Sequence, residues 1–186
     1  MASKVGMCNA ALRKVGANTI NSLTEGSEEA RICNERFDEI LDTLLQLHPW
    51  NFALHRAELS VTLPAPAFGY TNKYLLPTNP YCLKVESENA GYDFVIEGRY
   101  LLSDYGTIKI KYIKRITDVN DLSAAFRECF SDYLAGELAV PLTGSLQLKG
   151  LMLQQFGASF KWARLRDAQE GTPETQPEGS WITTRQ

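Results

Sequence analysis

No stretch of this 186-residue chain approaches the ~20 consecutive apolar residues of a membrane span, which argues against a helical membrane protein. Met1 to Val15 sets Lys4, Arg13 and Lys14 among polar breaks where a signal peptide would carry its apolar core, so the expectation is a soluble chain that folds in the cytosol. Charge of one sign is lacking too. Nineteen basic residues against 22 acidic ones leave a net charge of -3, too little for bulk attraction to nucleic acid or an anionic bilayer to organise function. The only histidines, His48 and His55, flank Pro49 without an H-x-x-x-H or H-E-x-x-H pattern or an acidic ligand set, so neither a metal nor another cofactor is expected. Cys8, Cys33, Cys82 and Cys129 are widely spaced and contain no C-x-x-C pair, which favours buried, reduced thiols over a zinc site or redox dithiol. Also missing are the G-x-S-x-G elbow, the glycine-rich P-loop and a G-x-G-x-x-G turn after a strand. No catalytic residue, and hence no enzyme, is read from the chain.

What the chain does have is 44% hydrophobic and 22% charged residues, enough apolar matter for one or two globular cores. A first helix is expected from Ser3 to Val15, with Gly16 at its C-terminal cap. Ser27 caps a second, whose first turn holds Glu28 and Glu29 where the helix dipole favours negative charge. Along it Ala30, Cys33, Phe37, Ile40, Leu41, Leu44 and Leu45 recur at intervals of three and four, and Pro49 stops it after His48.

From Glu58 the period changes to two: Leu59, Val61 and Leu63 alternate with Ser60 and Thr62 until Pro64. Tyr70 to Leu76, Tyr81 to Ser87, Asp93 to Glu97, Tyr100 to Ser103 and Thr107 to Ile116 follow as further strands, which predicts one antiparallel sheet of about five short strands. Helical periodicity returns at Asp121, with Pro141 ending or kinking that helix, and a last helix with a basic flank runs from Ser145 to about Ala168. The order of elements gives an α+β fold: a helical bundle of residues 1–56 and 117–170, an inserted antiparallel β domain over 57–116, and an extended C-terminal tail, 171–186. The tail, rich in Gly, Thr, Pro and Glu, cannot bury enough apolar area to fold alone, yet it closes on Trp181, Ile182 and Arg185, residue types enriched at interface anchors. It reads as a flexible docking segment.

Two charged clusters stand out. Asp38, Glu39 and Asp42 fall at helical spacing, and a solvated helix face explains them better than a paired-carboxylate site. The run T-I-K-I-K-Y-I-K-R-I, Thr107 to Ile116, puts Lys109 and Lys111 on one strand face with Lys114 and Arg115 following; phosphates are one possible partner, but without stacking aromatics a solvated or subunit-facing strand fits better.

The segment L-H-P-W-N-F-A-L-H-R-A-E-L, Leu47 to Leu59, with E-A-R-I-C-N-E-R-F-D-E-I-L-D-T-L-L, Glu29 to Leu45, before it, resembles the tail tubular protein A and head-to-tail adaptor (connector) family of tailed bacteriophages. The Y-x-x-x-Y-x-L-P stretch from Tyr70 to Pro77 and L-A-x-x-L-A at Leu134, Ala135, Leu138 and Ala139 extend the likeness over most of residues 3 to 168. One departure is the turn after Leu76 and Pro77, which reads Thr78, Asn79, Pro80, Tyr81, Cys82 where family members often place an acidic residue and then a cysteine.

The resemblance implies a non-enzymatic structural virion protein at the head-tail junction, assembled in the host cytoplasm. It implies a homo-oligomeric ring, expected as a dodecamer, with the portal protein above, a tail or nozzle protein below, and DNA passing through without sequence-specific binding or contact with a membrane. In such a ring Asp38, Glu39 and Asp42 are the channel-facing candidates, and Trp181, Ile182 and Arg185 the partner-binding ones. Trp50 and Phe52 are expected to pack at the bundle-to-sheet junction and to identify the chain without acting. Two other classes remain, a stand-alone nucleic-acid-binding module using Lys109 to Arg115 and a small hydrolase with an unrecognised site.

Overall fold

The computed structural model of the chain describes residues 2–86 and 93–170. It has an α+β fold of four helices and two small antiparallel sheets. Helix α1, Lys4–Lys14, starts where the Ser3 hydroxyl accepts the Gly6 amide at 2.9 Å. It ends in a Schellman turn: Gly16 adopts φ +73° while the amides of Gly16 and Ala17 reach back to Arg13 and Leu12. Helix α2, Glu28–Gln46, is capped by Ser27 and buries Ala30, Cys33, Phe37, Ile40, Leu41, Leu44 and Leu45, the stripe expected from its periodicity.

After α2 a short 3-10 turn, Asn51–Ala53, feeds straight into strand β1, Leu54–Leu59. The strand therefore begins before Glu58 and ends at Leu59; Val61 makes only an isolated bridge to Tyr74, and Leu63 is exposed. The cause is the partner: β6, Ile108–Lys114, offers a ladder matching Leu54 with Ile113 through Leu59 with Ile108, and the ladder with β6 ends there. Strand β3, Cys82–Val85, pairs with the other edge of β6. The remaining strands, β2 at Asn72–Leu75, β4 at Val95–Glu97 and β5 at Tyr100–Ser103, form a second sheet in the order β2-β5-β4. The single sheet of about five strands is thus two sheets of three, because the chain breaks away at Pro64 to Pro66 and returns to pair with β5 instead of β1.

Strand β6 is shared by two cores. Ile108, Ile110 and Tyr112 pack with Leu59, Tyr74, Cys82 and Leu101 between the sheets, while Ile113 and the following Ile116 enter the helical core. A bulge between Cys82 and Lys84 does the same for β3, so that Cys82 joins the sheet core and Leu83 packs on the helices. These handovers join the helical body to the inserted sheets.

Asp121 belongs to a 3-10 turn, Val119–Asp121, so helix α3 starts later than its apolar period suggests, at Ala124 behind the Ser123 cap. It runs through Pro141 to Thr143 and closes on Gly144 at φ +68°. Pro141 neither ends nor replaces the last turn, since the Gly144 amide still reaches the Val140 carbonyl at 2.8 Å. Helix α4, Leu146–Ala168, is capped by Ser145 and packs back along α3. At the crossing Gly136 lets α4 approach closely: a Cβ there would meet Leu153 Cδ2 at 3.2 Å.

Candidate docking surfaces and the junction that positions them

The L-H-P-W-N-F-A segment forms the knot between α2 and β1. Trp50 is fully buried, its indole N–H donates to the Leu44 carbonyl at 3.0 Å, and the ring lies between Phe52, Phe126 and Phe160 at centroid distances of 5.9, 5.0 and 5.8 Å. Trp50 and Phe52 therefore do the packing expected of them. From the end of α4, buried Asp167 grips the same turn: its Oδ1 accepts the Asn51 amide at 2.9 Å, its carbonyl accepts Asn51 Nδ2 at 2.6 Å, and Oδ2 lies 3.3 Å from His48 Nε2. Burial, helped by Arg164, pulls the His48 pKa below its ordinary value against the opposing pull of Asp167. His48 is a latch in this turn, while His55 sits exposed on β1. No group of three or more His, Cys, Asp or Glu able to hold a metal occurs among the described residues.

All four cysteines are buried free thiols. Burial pushes Cys82 up to about 11 and Cys129 up to about 12, and a hydrogen bond to Cys33, with burial, drives Cys8 higher still. Cys8, Cys82 and Cys129 are accordingly poor nucleophiles at neutral pH, while the hydrogen bond from Cys8 shifts Cys33 the other way, downward.

The acidic cluster is arranged differently from a bare negative wall. Asp38 and Glu39 are exposed, as expected, and Asp42 is half-buried, but each has a cation: Lys4 Nζ lies 2.7 Å from Asp38, Arg36 pairs with Glu39, and Arg115 takes Asp42 in a two-pronged contact. A cavity of about 420 Å³ opens between Lys4, Asp38, Asp42 and Arg115. Arg115 continues into the sheets, since its guanidinium lies 4.7 Å from the Tyr81 ring centroid and Arg99 lies 4.1 Å from the same ring. Arg99 in turn donates to the carbonyls of Leu76, Pro77 and Cys82, which pins the remodelled turn at residues 77–82. One polar chain thus joins α2 to the inserted domain.

Strand β6 shows the expected alternation, with Ile108, Ile110 and Tyr112 buried and Lys109 exposed. The cations of this run are partly spent: Lys109 on β6 sits 3.8 Å from Glu58, and Arg115 just after the strand holds Asp42.

Asp132 on α3 was invisible to sequence reasoning. It is fully buried, its Oδ1 takes the Lys14 ammonium at 2.6 Å, and Lys14 also pairs with Glu128. Burial alone would lower the Lys14 pKa, but the hydrogen bonds to Asp132 and Glu128 outweigh it and hold that pKa above the ordinary value. The only available signal was the all-round apolar composition of α3, which places any polar residue on it under a neighbour.

Among the described residues, two groups of exposed apolar side chains bear on docking. In the loop between β1 and β2 of the inserted domain, Leu63 and Phe68 are 82% and 89% exposed. On α4, Leu151, Trp162 and Leu165 are exposed, and with Ala158 their spacing of seven, four and three sets them on one face of the helix. Trp181, Ile182 and Arg185 lie outside the described residues. No described helix is long and apolar enough to cross a membrane. The chain matches no protein-family model and no curated protein.

Proposed function

We propose that this chain is a structural virion protein, a head-to-tail adaptor that assembles as a ring beneath the portal, joins the DNA-filled capsid to the tail and lets the genome pass. The observation that carries the reading is the pair of uncovered apolar surfaces, Leu63 with Phe68 on the inserted domain and the outer stripe of α4, borne by a body rigidly knotted at Trp50. Isolated monomers rarely leave contiguous apolar patches in water, whereas a ring subunit needs such surfaces for its neighbours, above and below. Support comes also from the sequence likeness, whose P-W-x-F-A motif supplies the buried junction itself.

In this reading the chain acts by assembly and not by catalysis. The portal lies above, a tail or nozzle protein below, and Trp181, Ile182 and Arg185 anchor the docking tail. The face carrying Asp38, Glu39 and Asp42 looks toward the channel, where carboxylates and their paired cations give the phosphates a surface without a cationic grip. A nucleic-acid-binding module built on Lys109 to Arg115 is less favoured, because Lys109 and Arg115 already face carboxylates. The test is sedimentation of the full chain with and without assembled portal rings: co-sedimentation in stoichiometric amounts supports the adaptor, while salt-sensitive DNA binding without portal binding overturns it.

A further inference from the structure

We infer that the outer stripe of α4 in one copy of this chain packs across the outward face of the second sheet, β2-β5-β4, in the next copy, so that subunits join head to tail. The inference rests on the ring reading and deepens it by naming the two faces that meet.

The first ground is a pair of open faces that cannot meet within one chain. Cross-strand partners share a face, so the ladders set Leu75, Tyr100 and Glu97 in one row and Lys73, Leu102 and Val95 in the next. Tyr74 and Leu101, on the other face, are sealed in the core between the sheets, which turns those two rows outward. Leu75, Val95 and Tyr100 are 44%, 41% and 36% exposed, and Leu102 belongs to neither core. Helix α4 turns Leu151, Ala158, Trp162 and Leu165 away from α3, with Trp162 55% exposed. Held along α3 and tied by Asp167 to the Asn51 turn, α4 cannot swing to the far side of its own second sheet.

The second ground is fit. From Ala158 to Leu165 the stripe runs ~10 Å at ~1.5 Å per residue. Two strand spacings of ~4.8 Å give the sheet about the same width. A helix laid across the three strands therefore sets Trp162 and Leu165 over the rows of Leu75, Tyr100 and Val95.

The third ground is charge, which selects a second copy as the occupant. The one carboxylate of α4, Asp167, is buried, while Lys161 and Arg166 are exposed on either side of the stripe. Among the described residues neither cation has an ion pair; Arg166 lies 5.2 Å from the Trp162 ring centroid. The β4 side of the sheet shows the converse. Asp93 and Glu97 are exposed and without an ion pair among the described residues, and the nearest cation in the outward rows, Lys73, lies over the Tyr100 ring at 4.6 Å. Apolar centre meets apolar centre, and two free cations meet two free carboxylates, which fixes the register of the contact. Because the two faces differ, each copy offers one to either neighbour, the arrangement that closes into a ring.

The experiment mixes two forms of the full chain, one with Leu165→Cys and one with Tyr100→Cys, and counts by mass the disulfide-linked dimers formed with diamide, the native cysteines being buried. The mixed dimer is expected in several-fold excess over either homodimer. K161E/R166E on the first chain is expected to lower its yield several-fold, and D93K/E97K on the second to restore it. Leu75→Cys replaces Tyr100→Cys should the latter fail to fold. Predominance of the Leu165→Cys homodimer overturns the inference in favour of α4 pairing with α4. A mixed yield no higher than that of Thr43→Cys, exposed on α2, with Tyr100→Cys overturns it in favour of another cover for these faces, and so does a yield that the charge reversals neither lower nor restore. Portal co-sedimentation of the parent chain keeps the two readings apart: mixed dimers without portal binding sink only the adaptor, and portal binding without mixed dimers sinks only the head-to-tail contact.

Discussion

Helices α3 and α4 are neighbours in the chain, similar in length and both rich in Leu, Phe and Ala, yet they occupy opposite situations. Helix α3 is surrounded by α1, α2 and α4 and buries ten residues, Ser131, Asp132 and Gly136 among them. Helix α4 lies mainly against α3, touches the Trp50 turn through Phe160 and Asp167, and buries two. Neither shows a clean amphipathic stripe, and the causes differ: α3 is buried on most of its surface, with Glu128 among its few exposed residues, whereas α4 has apolar groups on a side that no other described element covers. Weak periodicity therefore carries two meanings, complete burial or a second surface held for another partner, and only the packing tells them apart.

Substitutions should separate the two helices sharply. Phe130→Ala on α3 removes a fully buried ring packed 4.7 Å from Phe37 and should lower unfolding free energy by about 3–5 kcal/mol in urea titration. A loss below about 1 kcal/mol would mean that α3 is not central.

The buried ion pair ranks next. Lys14→Ala strands the Asp132 carboxylate and should cost about 3 kcal/mol, while Lys14→Met with Asp132→Leu should recover most of that loss, because the desolvated charge is then gone. In the parent protein the raised Lys14 pKa means that the folded state holds its proton more tightly, so this stabilisation is present below the unfolded value of 10.5 and fades as pH rises past it.

His48 gives a smaller effect of opposite sign. Its pKa is lowered by burial, so the unfolded chain binds the proton more readily; stability is complete above the unfolded value of 6.5 and declines as pH falls below it. Thermal unfolding from pH 8 to pH 5 should show that decline, and His48→Gln should flatten it.

Smallest of all is the stability effect on α4's open side. Trp162→Ala or Leu165→Glu should leave the unfolding free energy of the single chain within about 0.5 kcal/mol and disturb only association. A loss as large as that of Phe130→Ala would place the outer stripe inside the monomer's own core and collapse the contrast between the helices.

The parts legible in sequence were those decided by neighbours close in the chain. Ser3, Ser27 and Ser145 cap helices by bonding amides three residues on, and Gly16 closes α1 by its own backbone freedom, so α1, α2 and α4 lie where their residue patterns put them. Strand β1 was misplaced because its limits come from β6, some fifty residues away, and the alternating residues from Leu59 to Leu63 find only a single bridge, Val61 to Tyr74, with Val61 and Leu63 exposed. Two sheets replaced one for the same reason. Of the surface features, the exposure of Asp38 and Glu39 and the i,i+3 pairing of Glu39 with Arg36 follow from helical phase, whereas the Asp38–Lys4 pair, like the Asp132–Lys14 contact, depends on which elements meet.

Asp167 lies one residue from the end of α4, yet it holds the Asn51 amide and side chain at the base of β1. Force applied at the C-terminus need not travel back through α4, α3 and the helical core to reach the sheets. It arrives at their root through Asp167 and the neighbouring Phe160–Trp50 contact, so tension on the C-terminal end of α4 and the seating of the inserted domain share one anchorage.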